Sequence, residues 1–599
     1  DERSDQRALR WAQGLALLAP GSSQAQAQAE LDGLGLSLAE RFPDTNADWR
    51  PSLEPYRSFT TSSLTPHLRS LFALTWAFLI LAAVNLAGLQ LARGAARTAS
   101  FSLQLALGAR GSRLGLQLLL ETLLLAVPGA LLGLLLARGL LALLPGLVQT
   151  SLPVWLDVRL GAVEVGFAIA GGILIALVAG LVPMVVGWRL DLRSLLAGRS
   201  KSTAGGRRLR SLLVIAEVAI AVVLLVAAGL LARSFSTLTT LDPGFETENI
   251  VSVELSPQYQ GSYLEQTDSL AALYRRVQTR LLEVPGVEAV GGTTRLPYLD
   301  RARRAVTLYA RGGQDEEALE HQAPILTIDV TPGYFEAMGI PFREGRDFRW
   351  SDLREDGLVM ILSRRAAEQL FPGQPAIGKE ARISNDAWAR VIGVVEDVRY
   401  DPREAGFGAE LYYPITQYKA WRQRLALRLN DSMASLQPAL RRALQEAAPE
   451  AGVVRFRSLP SILDESLWQA RLLGRLGPLF AAVALLLAGL GVYGLMAHDL
   501  AQKRQEIGLR AALGAPSYSL AGLILWRGAR LISLGVALGV AAALALTPLL
   551  SATLFGIDAR DALTFLIAAG CLLAAGCLAS LAPSWRATKI HPTEALRDA

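Results

Sequence analysis

Few residues in this sequence stand at spacings that could do bond chemistry. The segment GQPAIGKE at 373–380 has the spacing of a phosphate-binding loop, with Gly373, Gly378 and Lys379 in place. It fails at the next position, where Glu380 replaces the Ser or Thr that would hold magnesium. Asp397, Asp401 and Glu404 fall close together on an expected loop; dispersed charges of this kind read as a solvated surface rather than an acid–base pair. The histidines (His67, His321, His498, His591) are far apart, and none has ligand spacing to a second His or Cys. Cys571 and Cys577 lie six residues apart in one apolar segment, which puts them on different helix faces and disfavours a disulfide or a metal pair. No catalytic, cofactor-binding or metal residue is assigned, and the chain is expected not to be an enzyme.

The remaining polar candidates sit inside apolar runs. Glu121 falls about five residues and Glu217 about six into such runs, and Asn85 in the middle of another; ionisable groups there are functional candidates by default. Structural pairing, Arg113 with Glu121 and Arg210 with Glu217, is the expected role, because a proton relay would need a chain of such groups across the bilayer. The apolar runs themselves set the class. Of 599 residues, 52% are hydrophobic and 19% charged, with mean hydropathy +0.33, too apolar for an ordinary soluble chain. The net charge of +6 comes from arginines scattered over several segments, which argues against nucleic acid as a partner.

Seven runs, at about 71–91, 117–144, 163–188, 212–231, 476–497, 520–546 and 562–585, reach the length of about 20 residues that a membrane-crossing helix needs. Arg189, Arg193, Arg199, Lys201, Arg207, Arg208 and Arg210 crowd 189–211 against the single acid Asp191, and 92–116 holds four arginines and no acid. Segments 145–162 and 548–561 carry one base each. The positive-inside rule therefore puts 92–116, 189–211, 498–519 and the C-terminal tail in the cytoplasm, and 1–70 and 232–475 outside. An outside N-terminus without an export signal predicts a further membrane helix upstream; N-out insertion of a hydrophilic head is the alternative.

The chain also repeats. ASFSLQLALGA at 99–109 aligns without gaps on QEIGLRAALGA at 505–515, and VP at 182–183 corresponds to AP at 582–583. Symmetry then predicts eight spans in two groups of four for the whole protein. Gly129 with Gly133, and Gly535 with Gly539, permit close helix packing, although glycine is too frequent here for such spacings to say more. Residues 232–475 read as an α+β domain with strands at 250–256, 323–330, 357–363, 389–398 and 424–429. Its helix at about 267–283 carries Leu270, Leu273, Tyr274, Val277 and Leu281 on one face, and a second at about 434–447 carries Leu436, Leu440 and Leu444. A similar helix is expected at 23–41.

GFETENIVSVEL, VTPGYFEAMGIPFREGRDF, EQLFPGQPAIGKEARI, VIGVVEDVR and above all RQEIGLRAALGA, followed by a C-terminal HPTEALR, resemble the MacB/FtsX-type permeases of ABC systems. More closely, they resemble a bacterial subgroup with two fused halves and no ATPase domain of its own, here N-terminally incomplete. The fold expected is an α-helical polytopic membrane protein with an extracytoplasmic α+β domain. Its parts would be a remnant of a first periplasmic domain (1–70), a first permease half (71–190), a basic cytoplasmic linker (191–211), a leading span (212–231), a second periplasmic domain (232–475) and a second permease half (476–599).

The resemblance implies a multi-pass inner-membrane permease that couples a separate cytoplasmic ABC ATPase, which carries the ATP and magnesium, to movement of the periplasmic domain. Export or extraction of an amphiphilic peptide, antibiotic or lipoprotein would follow, with membrane lipids and a periplasmic adaptor or substrate protein as further partners. The alternative is an envelope signalling or scaffold protein that regulates a periplasmic partner without transport. The coupling loop would consist of Arg504, Glu506, Ile507, Gly508, Arg510, Leu513, Gly514 and Ala515. Its first-half copy (Ser100, Phe101, Leu107, Gly108, Ala109) is degenerate, with Ser100 for the acid and Gln104 for the base. Without that resemblance, 502–515 reads only as a charged interfacial helix.

Overall fold

A computed structural model describes residues 14–46, 50–56, 58, 65–96, 104, 107, 111–148, 160–188, 202–257, 263–299, 304–311, 321–383, 387–401, 406–417, 423–449, 451–502, 509–510, 513 and 516–588. In chain order the principal helices are α1 (Gln24–Arg41), α2 (Thr65–Ala96), α3 (Gly111–Val148), α4 (Ala162–Trp188), α5 (Ser202–Thr240), α6 (Tyr263–Leu282), α7 (Tyr334–Met338), α8 (Arg364–Leu370), α9 (Met433–Ala447), α10 (Leu459–Ser466), α11 (Trp468–Gln502), α12 (Ser517–Leu546) and α13 (Ala562–Thr588). The strands are β1 (Ile250–Pro257), β2 (Val287–Thr293), β3 (Arg304–Arg311), β4 (His321–Val330), β5 (Phe342–Gly345), β6 (Val359–Ser363), β7 (Glu380–Ile383), β8 (Ala389–Val395), β9 (Ala409–Pro414), β10 (Arg424–Leu429) and β11 (Ala451–Ser458). Two units are distinguished, 1–76 and 77–599. In the first, α1 opens on a capping box in which Ser23 and Gln26 exchange bonds, satisfying two of the orphan N–H groups of the first turn. Gln28 holds the following segment, donating to the Pro51 carbonyl and accepting from Leu53 N–H.

Among the described residues, seven helices are long and apolar enough to cross a membrane: Leu68–Gly94, Gly115–Ala142, Ala162–Leu181, Arg208–Thr240, Ala470–Ala501, Leu525–Ser551 and Ala562–Arg586. They fall on the seven expected runs. The repeat is kept in the helix bounds: Ala96 and Gly111, which flank the first loop, correspond to Gln502 and Ser517, and Ala162 and Trp188 correspond to Ala562 and Thr588. The halves differ in burial. α5 is enclosed by its neighbours, with Ala221, Val222, Val226 and Leu230 fully buried, whereas α3 exposes Leu124, Leu132, Leu135 and Leu136.

The outer domain is built on an 11-stranded sheet ordered β11-β1-β10-β2-β4-β3-β7-β8-β6-β9, with β9 pairing back on β4 and β5 on β8. Two architectures meet in it. β1-α6-β2 and β10-α9-β11 form two split βαβ units, interleaved and antiparallel, an arrangement that covers one sheet face with two helices. The strands β4, β3, β7, β8, β6 and β9 close on themselves between β2 and β10. The expected apolar face of α6 is the buried one: Leu270, Leu273, Tyr274, Val277 and Leu281 pack on Val251, Val253 and Leu255 of β1 and on Leu440 and Leu444 of α9. Each such side chain contributes about 1.5–3 kcal/mol on burial. All five expected strands are present. Those not foreseen, β2 (VEAVGGT), β3, β5, β7, β9 and β11, are short, glycine-bearing or interrupted by charge, so their pattern is supplied by neighbours and not by their own alternation.

Two acids of this domain carry a pH signature. Burial pushes Asp329 up to about 7, against the pull of Arg295. Burial also raises Asp347 to about 6, while the Gly333 and Phe348 N–H groups oppose the shift. Both pKa values lie above the ordinary 3.8, so between these limits the folded state holds the protons more tightly than the unfolded chain. The stability they contribute is complete below about pH 4 and is lost as pH rises through about 6 to 7. The thermal midpoint of the outer domain is expected to fall between about pH 5 and pH 8, and less so in Asp329→Asn. An equal fall in both proteins would refute the assignment.

Candidate coupling site

Of the expected coupling loop, Arg504, Glu506, Ile507, Gly508, Gly514 and Ala515 lie outside the described residues, as do Ser100, Phe101, Gly108 and Ala109 of the first-half copy. The described positions correspond in pairs. Gln104 and its equivalent Arg510 are helical, and Leu107 and its equivalent Leu513 stand in turns. The two leucines are 79% and 81% exposed, large apolar groups offered to whatever meets the loop. Leu509 is also exposed, and its carbonyl accepts the Leu513 N–H at 3.0 Å. At the described positions the first-half copy thus keeps a helical residue and an exposed leucine, with Gln104 where the second copy has Arg510.

Behind the loop, glycines set the spacing of α5 from its neighbours. A Cβ at Gly535 or Gly539 of α12 would lie 2.7 Å from Val218 or Val222 of α5. Gly477 of α11 faces the Ala228 backbone, and Gly474 faces the Phe235 ring. Backbones that approach this closely gain dispersion contacts that any side chain would forfeit. The two halves also touch: Asn85 Nδ2 donates to the Leu487 carbonyl at 3.2 Å, and the Phe78 and Phe480 rings lie 5.2 Å apart.

Glu217 departs from expectation. Glu217 is 2% exposed, and its carboxylate lies over Gly491 of α11, where a methyl would collide with it. Arg210 does not pair with it. The two are seven residues apart, about 10 Å along the helix. Glu121 is half-buried and accepts from Gln117 Nε2 at 3.3 Å.

At its outer end α5 is braced before it enters the outer domain. Arg233 forms an ion pair with Asp561, which also accepts from the Thr564 N–H and hydroxyl. Ser234 Oγ exchanges bonds with the Phe555 backbone. Beyond Thr240, Arg399 N–H donates to the Pro243 carbonyl and Glu246 N–H to that of Met338. Asp397 organises this contact, and here the expected solvated surface is corrected. Its side chain is buried; Oδ2 lies 2.7 Å from Arg364 Nη2, and Oδ1 accepts the Arg365 N–H at 2.7 Å. Asp401 is also buried, and Glu404 lies outside the described residues. The phosphate-loop-like segment runs into β7 and not into a helix N-terminus of the kind that would cradle a phosphate. Lys379 bonds Gln374 and lies over the Phe371 ring.

None of Asp397, Asp499, Arg527, Arg233 and Asp561 was singled out as a binding or coupling residue from sequence. The signal of Asp499, Arg527, Arg233 and Asp561, single charges at or just beyond span ends, and that of Asp397, one acid on a loop of the outer domain, are common to many structural positions.

An FtsX-like permease C-terminal family model matches residues 72–190 and again 478–592, and a MacB-like periplasmic core domain model matches 211–446. The chain is a MacB/FtsX-type ABC permease. The two FtsX-like matches coincide with the two repeats, and the core-domain match takes in α5 and most of the outer domain. The permease is 25% identical over 280 residues to the macrolide export ATP-binding/permease protein MacB of Shigella boydii serotype 4 (strain Sb227), which is 45% of this chain and 42% of that protein. The protein of the same name from Escherichia coli (strain K12) gives the same figures. The permease therefore spans about two fifths of the length of these curated relatives.

Two solved structures are also similar. The periplasmic region of MacB from Actinobacillus actinomycetemcomitans is 14% identical, covering 38% of this chain and 95% of that one, with TM-score 0.25. The extracellular domain of the noncanonic ABC-type transporter YknZ from Gram-positive bacteria is 19% identical, covering 34% and 100%, with TM-score 0.22. Seven apolar spans with a MacB-type periplasmic domain make this a multi-pass inner-membrane protein.

Proposed function

We propose that the permease works by mechanotransmission: a separate cytoplasmic ABC ATPase, holding ATP and magnesium, docks on 502–515 and drives a change in posture of the periplasmic domain. The observation that carries this reading is α5. It is a single helix of 39 residues, about 58 Å long, that starts on the cytoplasmic side, runs enclosed among α11, α12 and α13, and ends against the periplasmic domain. A helix of that length clamped along its span moves as a rod. The work is done on an amphiphilic substrate of the peptide, antibiotic or lipoprotein class; the named activity of the relatives, macrolide export, belongs to that class. Leu107 and Leu513 offer apolar docking points on both halves, so the degenerate first loop retains contact with the ATPase without its charges.

The test is a mild-detergent pull-down of the full-length protein from its native membrane, in wild type and in Glu506→Lys/Gly508→Trp. An ABC ATPase is expected with wild type, and its recovery should drop by about tenfold or more in the variant, the effect of spoiling an interface hot spot. No ATPase with wild type would end the mechanotransmission reading; periplasmic partners recovered instead would favour an envelope scaffold.

A further inference from the structure

Along α6 the outer domain carries a groove of about 670 Å³, closed on its other side by Trp350, Leu353 and Thr416. That volume is in the range usual for small-molecule sites. The apolar part of its lining is Trp350, Leu353 and two alanines of α6, Ala271 and Ala272, which are small enough to leave the groove open. Leu353 is 48% exposed, the highest figure among the described large apolar side chains of this domain. Trp350 is half-buried against the core beneath α6.

This apolar surface does not stand on a loose loop. The Asp352 carboxylate accepts both Nη groups of Arg346, at 2.8 and 2.9 Å, and the Arg349 N–H at 2.8 Å. Thr416 Oγ1 donates to the Asp352 carbonyl at 2.6 Å. The buried Gln417 amide donates to the carbonyls of Leu353 and Gly357 and accepts the Val359 N–H. A wall tied at both backbone and side chain holds its shape before any ligand arrives, so binding does not have to order it.

The α6 side supplies charge. Arg280 is committed to Glu283 and Glu446, and Arg276 Nε donates to the Ala447 carbonyl at 2.7 Å. Arg275, between them and the two alanines, has no ion pair and no side-chain hydrogen bond among the described residues. A guanidinium without a counter-charge offers a planar fork that fits a carboxylate or a phosphate. Beside it lies apolar surface that an inorganic anion could not use. A cationic or neutral amphiphile would cover that surface but leave Arg275 without its partner.

We propose that the groove between α6 and 350–353 binds an amphiphile with an anionic head, a carboxylate or phosphate held by Arg275, and an apolar body laid along Trp350 and Leu353. This rests on the reading of the periplasmic domain as acting on an amphiphilic substrate, and it assigns the charge of that substrate's head.

The test photolabels the full-length protein in native membranes, without added nucleotide. The probes are para-benzoylbenzoate and para-benzoylbenzylamine, which have the same body with opposite charge, and labelled peptides are mapped by mass spectrometry. The benzoate should label 271–283 or 349–353 in preference to the amine. Octanoate or octyl phosphate should compete, and the stronger of the two names the head group; octylammonium and inorganic phosphate should not. Arg275→Gln should cut the labelling by about tenfold, the loss of one charge-assisted contact. Arg442→Gln removes an exposed arginine of α9 outside the groove and should leave the labelling unchanged.

Equal labelling by the amine, or equal competition by octylammonium, would make the groove a purely apolar one and overturn the proposal. Inorganic phosphate competing as well as octyl phosphate would make it a bare anion site, with the same result. Undiminished labelling in Arg275→Gln, or no label in the groove, would also overturn it. Labelling does not need the ATPase, so the two readings fail separately. A wild type that recovers the ATPase but takes no label loses this site alone, whereas Arg275-dependent label without ATPase supports the site and ends the mechanotransmission reading.

Discussion

Gly535→Leu is expected to lower the stability of the second-half bundle by about 3 kcal/mol, at the upper end of what overpacking costs. The added side chain would start 2.7 Å from Val218 and 3.0 Å from the Ile215 carbonyl, and a backbone carbonyl on a buried helix cannot move aside. α12 would be driven off α5, and the Val222–Gly539 contact one turn on would open with it. The equivalent change Gly129→Leu meets nothing within 4 Å and should be neutral within about 0.5 kcal/mol. Thermal loss of the monodisperse detergent-solubilised protein, compared between the two variants, checks both. Equal losses would mean that the burial of the two glycines does not differ as described.

The second large effect is expected at Asp397. Asp397→Ala removes the partner of Arg364 and the acceptor of the Arg365 N–H together. A buried acceptor bonded to both a guanidinium and a helix N-terminus contributes about 2–3 kcal/mol; the partial exposure of Arg364, 37%, keeps the ion-pair share small. The segment 396–401 also receives the linker after α5, through Arg399 and Pro243. Loosening it should therefore raise protease sensitivity in 241–249 before the domain as a whole unfolds. Limited proteolysis with mapped cleavage sites measures this, and first cleavage elsewhere would refute the link.

Both predictions concern residues that the sequence presented as ordinary. Gly129–Gly133 and Gly535–Gly539 have the same spacing and occupy equivalent places in the repeat, yet only the second pair meets a helix. Asp397 reads as one of three loop acids, and its burial follows from where α8 begins against the strand before it.

What the sequence determined by itself is whatever the bilayer or the local chain dictates. A run of about 20 apolar residues must be helical in lipid because no other form satisfies its backbone. The arginine bias of 92–116 and 189–211 orients every span, and the apolar stripe of α6 is a periodicity within one helix. The motif that identified the family is likewise local. Tertiary structure alone decided which half encloses its helices, that Glu217 sits over Gly491 and apart from Arg210, and that Asp499 of α11 pairs with Arg527 of α12. It also closed the strands around β4 and β9 into a ring through pairings between segments far apart in the chain. Such contacts depend on which elements come to lie side by side, and for short strands and lone charges the chain around each residue carries no record of its eventual neighbour.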